Sequence, residues 1–176
     1  MTLLRLITAF CIATFAALPL RAETSYEDLL AALATSENRD QARILSDKIW
    51  QHWLTAPDEA AQEVLDAAME RRQSFDFLGA IVHLDRLIET YPDYAEGWNQ
   101  RATIHYLRGD YDASLKDVAE TLQREPRHFG ALAGKSVILF NQGKIPLAQI
   151  AVREALKYHP FLNEAAILQA SPETDL

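Results

Sequence analysis

Five histidines, one cysteine, a glycine-lysine-serine stretch and 25 acidic residues are what this chain offers for chemistry. His52, His83, His105, His128 and His159 never stand three or four residues apart, the spacing at which two imidazoles on one helix face share a zinc ion. They read instead as polar packing between helices. Gly130 to Ser136 spells GALAGKS, superficially a phosphate-cradling loop. Such a loop needs four residues between its glycines, and here there are three, with Phe129 at the required spacing. Gly130 and Gly134 read better as points where another backbone or a ligand comes close, at a helix-propensity cost of about 1 kcal/mol each. A serine, histidine and acid cannot be nominated as a triad from spacing alone. In so acidic a chain most carboxylates are solvated surface. The chemistry-bearing residues thus point to no catalytic, metal or cofactor site, and the chain reads as non-enzymatic.

The balance of 17 basic against 25 acidic residues gives a formal net charge of −8. Nucleic-acid binding, which needs a basic stripe, is excluded, and so is electrostatic attachment to anionic lipid. Arg5 opens an uncharged apolar run, Leu6 to Leu20, that closes with Pro19, Leu20, Arg21 and Ala22. Fifteen residues of helix reach about 22 Å, short of a hydrocarbon core of ~30 Å. A basic start, a short apolar stretch and a small residue at the cut describe a signal peptide, residues 1–22, cleaved after Ala22. No stable membrane insertion is expected after cleavage. Cys11, the single cysteine, lies in that run and follows the bulky Phe10, unlike a lipid-modified cysteine. Loss of Arg5 and Arg21 takes the mature chain to −10 and leaves it without cysteine. An exported, acidic, cysteine-free chain points to a bacterial periplasm.

The elements that must position these residues recur every 34 residues, the mark of a stacked array. Val64, Trp98 and Leu132 share a column, as do Ala68, Ala102 and Ser136. Phe77, Tyr111 and Ile145 start the second helix of each unit, followed by the small column Ala80, Ser114 and Ala148. Leu84, Val118 and Val152 form another apolar column, and Pro92, Pro126 and Pro160 close the units. Small residues let helices cross closely, and proline fixes where the second helix stops. Gly109 and Gly143 occupy matching turns that call for positive φ. Asp93 followed by Glu96 predicts a capping box, and Pro146 suits a helix start. Ahead of the repeats, residues 23–60 form a divergent helical hairpin. Ser25 caps its first helix, and Ile44, Leu45, Ile49, Trp50 and Trp53 face one side of its second. Those tryptophans are expected as core beneath the first repeat.

Over residues 61–162 this pattern resembles the tetratricopeptide repeat family, best in the central unit with Trp98, Ala102, Gly109-Asp110-Tyr111, Leu115 and Pro126. Arg101 and Lys135 stand where the family often has leucine, and Arg71 and His105 where it often has tyrosine. The resemblance implies an all-α, right-handed solenoid of stacked antiparallel helix pairs, with repeats at 61–94, 95–128 and 129–162. A short capping segment and acidic tail, 163–176, follow. It also implies which residues face the concave groove. The first unit offers Gln62, Leu65, Met69, Arg72 and Gln73, and the second Glu96, Asn99, Thr103, Tyr106 and Leu107. The third offers Gly130, Ala133, Val137, Phe140 and Asn141. Methionine and aromatic groups in a groove suit a protein or peptide partner. The lysine and asparagine set with which some members hold a terminal carboxylate is missing, since only Asn99 and Arg72 match it. The expectation is a protein- or peptide-binding scaffold, serving as an assembly or adaptor factor. The alternative is a structural homo-oligomer joined through the Ile49, Trp50 and Trp53 stripe.

Overall fold

The computed structural model describes residues 24–171. The leader read at 1–22 and all but the first residue of the acidic tail lie outside the described residues. Eight α-helices run in order: α1 Tyr26–Ala34, α2 Arg39–Trp53, α3 Glu59–Gln73, α4 Phe77–Thr90, α5 Ala95–Leu107, α6 Tyr111–Arg124, α7 Phe129–Asn141 and α8 Ile145–Tyr158. A 3₁₀ helix, Asn163–Gln169, closes the described chain.

Local chemistry sets these boundaries. Ser25 Oγ accepts the Asp28 N–H at 3.1 Å, and Asn38 Oδ1 accepts that of Gln41 at 2.9 Å. Asp58 and Asp76 cap α3 and α4 in the same way. Each cap satisfies a donor that the first turn leaves unpaired. Tyr91, Glu125 and His159 end the second helices in non-helical, largely extended conformations, because each precedes a proline. The predicted capping box at Asp93 does not form: α5 has no side-chain cap, and Glu96 turns into the protein interior. Gly109 and Gly143 take φ of 80° and 72°. The matching turn of the first repeat holds Phe75, at φ 61° and 80% exposed, where glycine would relieve strain.

Helices α3 and α4, α5 and α6, and α7 and α8 pair, and each second helix of a pair packs on the next first helix. Both small columns are buried at the crossings. Ser114 Oγ donates to the Ala102 carbonyl across one of them at 2.7 Å, so its hydroxyl is not an orphan. Arg101, in a position the family often gives to leucine, holds Asp117 through two 2.8 Å bonds and Asp85 at 2.7 Å. It thereby links α4, α5 and α6. The guanidinium groups of Arg101 and Arg124 lie 5.0 and 4.7 Å from the Trp98 ring.

The N-terminal hairpin departs from expectation. Its core, Leu29, Leu30, Leu33, Ala42, Ile49 and Trp53, packs with Phe129 at the start of α7 and with Tyr158, Phe161 and Leu162 after it. The tryptophan rings therefore pack at the junction of the second and third repeats, and the first repeat reaches Trp53 through its backbone, the Tyr94 hydroxyl donating to the Trp53 carbonyl at 2.7 Å. Trp53 stacks on His128 with ring centroids 3.8 Å apart, and Trp50 meets His128 and Phe129 edge-on. Polar contacts hold the hairpin there. Arg127 pairs with Glu27 at 2.6 Å, the Tyr26 hydroxyl donates to Glu125 at 2.8 Å, and Trp53 Nε1 donates to the Tyr26 oxygen at 2.8 Å. The Ile49, Trp50 and Trp53 stripe is thus committed within the chain, which removes the face on which the homo-oligomer alternative rested.

Candidate binding groove

The first helices of the repeats, α3, α5 and α7, carry every groove residue read from the sequence. Their burial falls along each helix. Leu65, Asn99 and Ala133 are buried near the helix starts; Met69, Thr103 and Val137 are half-buried; Gln73, Leu107 and Asn141 are exposed at the ends. The hairpin lies across the early turns of α7 and leaves the later turns open.

Six of the predicted residues, Asn99, Thr103, Tyr106, Gly130, Ala133 and Val137, line one cavity of about 500 Å³ between α5 and α7. Leu107, Phe140 and Asn141 lie outside the cavity wall, with the Asn141 amide donating to the Tyr106 oxygen at 3.3 Å. Leu65 is a correction: at 0% exposure it belongs to the core with Ala61, Ala68, Leu84 and Leu87 and presents nothing to a partner. Met69 packs against that core, and Arg72 is occupied by a 2.8 Å bond to Gln100 Oε1. The first repeat therefore contributes little to the cavity.

Sequence reasoning missed the opposite wall. Ser46 and Trp50 of α2 close one side, and His159, Leu162 and Glu164 close one end. The signal for Trp50 was Gly130, a point of close approach as expected, though neither to the backbone nor to the ligand foreseen there. A Cβ there would lie 2.6 Å from Trp50 Cζ2, so the approaching group is the chain's own indole. Gly134 differs, because a Cβ there would meet nothing within 4 Å; it faces the open cavity.

Beneath the cavity lies a buried polar cluster. Glu96, 1% exposed, receives the Asn99 amide at 3.1 and 3.2 Å, the Gln100 amide, and His128 Nε2 at 2.9 Å. His128 Nδ1 accepts the Ala131 N–H at 3.1 Å, so the ring proton sits on Nε2 and donates to the carboxylate. Because Glu96 demands a donor, the Asn99 amide is fixed with its NH₂ inward and its Oδ1 toward the cavity. Thr103 Oγ1 donates to its own helix at the Asn99 carbonyl, 3.0 Å away, and keeps lone pairs for a ligand. His159 Nδ1 accepts the Phe161 N–H, and burial holds its imidazole below the ordinary histidine value. The remaining histidines show no shared ligand geometry: His52 stacks on Tyr26 at 4.3 Å, and His105 lies 3.8 Å from Asp117.

Stacked helix pairs with a cavity between their first helices define a helical-repeat solenoid with an inner binding face. No family model matches the chain. It is 34% identical over 137 residues to a TPR repeat-containing protein of Rhizobium etli, covering 76% of this chain and 66% of that protein. A tetratricopeptide repeat protein 36 homolog of Nematostella vectensis is 30% identical over 73 residues, covering 42% of this chain and 40% of the homolog. The fold resembles the TPR2AB domain of yeast Sti1, solved in a complex with pHSP90, at a TM-score of 0.56 and 16% identity over 82% of this chain and 58% of that one. The chain belongs to the tetratricopeptide repeat family. It spans less than two thirds of each of these proteins.

Proposed function

We propose that this protein is a non-enzymatic scaffold of the bacterial cell envelope that binds an extended protein segment in the cavity between α5 and α7. The carrying observation is that cavity of about 500 Å³, walled by Asn99, Thr103, Tyr106 and Val137 on one side and by Trp50 on the other. A site of this volume with apolar walls and a few oriented polar groups suits one or two anchoring side chains of a partner. The likeness to a repeat domain solved in complex with pHSP90 supports a protein partner of some kind. The apolar leader at 1–22 supports export, and an adaptor or assembly role accords with recognition unaccompanied by chemistry.

Two measurements test this reading. A photo-crosslinking residue at Val137 is expected to trap a partner in cells, whereas one at Lys116, on the exposed side of α6, is not. Equal trapping at both positions would refute groove binding. Fractionation with mass analysis is expected to find a periplasmic chain beginning at Glu23, and an uncleaved cytoplasmic product would refute the location.

A further inference from the structure

The cavity's lining has a polarity that narrows what can enter it. Among the described residues its wall contains no lysine or arginine. Its one carboxylate, Glu164, lies near His159 and makes no ion pair among the described residues; the neighbouring cation, Arg39, stays outside the wall and is engaged by the Phe161 carbonyl and Asn163 Oδ1. Burial favours the neutral form of that imidazole, which keeps positive charge off the wall. Asn99 Oδ1 faces the space because Glu96 has claimed the amide's donors. Thr103 Oγ1 has spent its proton on a backbone carbonyl and offers only lone pairs. Two neutral acceptors and one carboxylate thus border an apolar floor of Gly134 and Val137, with the Trp50 ring at its side and with the Tyr106 hydroxyl and the His159 Nε2–H as the donors on the wall. The chain as a whole carries −8, so its field also draws cations.

We propose that the cavity receives a basic side chain, the guanidinium of an arginine or the ammonium of a lysine, carried by the extended partner segment. This inference rests on the scaffold reading above and gives it a chemistry. The cationic head takes Glu164, Asn99 Oδ1 and Thr103 Oγ1 as acceptors. The aliphatic stem lies over Gly134 and Val137, and the indole of Trp50 flanks the cation. An anionic group such as a terminal carboxylate meets no matching charge there.

The test titrates the full chain, labelled with ¹⁵N, with three probes: Nα-acetyl-arginine methylamide, its uncharged isostere the citrulline analogue, and the glutamate analogue. The arginine probe is expected to shift the amides of Thr103, Gly134 and Val137 and to bind about tenfold more tightly than citrulline, the worth of one charge-assisted bond. Glu164→Gln is expected to remove most of that preference. Gly134→Met, which fills the cavity at a position where a Cβ meets no atom, is expected to abolish binding while the fold survives. Equal binding of arginine and citrulline, preference for glutamate, or absence of any shift would overturn the proposal. If Val137 still traps a partner while the probes bind alike, the scaffold stands and the basic anchor falls. If arginine binds but nothing is trapped, the cavity's preference for a basic group stands and the protein segment as its carrier falls.

Discussion

Replacing Gly130 and Gly134 by alanine, one at a time, is expected to move the stability of α7 in opposite directions. Both glycines lie within one helix, so each substitution gains about 1 kcal/mol in propensity. At position 134 nothing opposes the gain, because the new Cβ has no heavy atom within 4 Å. A rise of about 2–4 °C in Tm should follow for a domain of this size. At position 130 the Cβ would lie 2.6 and 2.7 Å from Trp50 Cζ2 and Cη2. The ring would have to retreat by about 1 Å to reach ordinary carbon–carbon contact. It is held edge-on against Trp53, His128 and Phe129 at 5.1, 5.5 and 5.9 Å, so it cannot retreat without loosening the hairpin. Overpacking of this kind costs about 1–3 kcal/mol, which leaves a net loss of about 1 kcal/mol after the propensity gain. Urea titration followed by circular dichroism measures both changes, and tryptophan emission should shift to the red only for Gly130→Ala. If Gly130→Ala stabilises the protein as much as Gly134→Ala, Trp50 does not sit on α7 and the hairpin does not wall the cavity.

Phe75→Gly is expected to stabilise the fold by about 1 kcal/mol in thermal denaturation, since it relieves a left-handed residue whose ring is mostly in water. Arg101→Leu should cost about 3 kcal/mol in urea titration by stranding the buried Asp117, and the double change to leucine at both positions should recover most of it. Stability should also fall at both ends of the pH range. His159 is held below its ordinary 6.5 by burial, so the unfolded chain binds a proton first and stability drops as pH falls below about 6.5. Tyr94 is held above its ordinary 10.0 by burial and then by the Glu96 charge. Its contribution is intact below pH 10 and lost as pH rises beyond it, which alkaline melting curves would record.

The repeat array was legible because its signal is periodic. Small residues at 68, 102 and 136 and prolines at 92, 126 and 160 each answer a packing need that recurs every 34 residues. The seat of the hairpin was not legible, because helical periodicity shows that Ile49 and Trp53 need a partner but not which surface supplies it. Phe75 was missed for a related reason: it fills the column of Gly109 and Gly143 with a residue that gives no hint of positive φ. Glu96 was read as a cap because glutamate three residues after aspartate usually is one. Its burial depends on donors from Asn99, Gln100 and His128, which only the folded chain gathers.

One column of the repeat, at the second position of each first helix after the first unit, shows how the groove was adapted. Gln62, Glu96 and Gly130 are 34 residues apart, and the family resemblance turned all three toward a partner. Each serves the chain's own N-terminal hairpin instead. Gln62 Oε1 accepts the Ala56 N–H at 2.9 Å and so fixes the end of the connection from α2. Glu96 holds His128, whose ring caps α7 on one nitrogen and lies flat beneath Trp53. Gly130 makes room for Trp50. An amide, a carboxylate and a missing side chain solve three different contact problems along one line of the solenoid. Occupying that line has a consequence for recognition. A partner in the proposed groove is confined to the later turns of α5 and α7, and at the floor beneath them Glu96 has set, through Asn99, which face of that amide it meets.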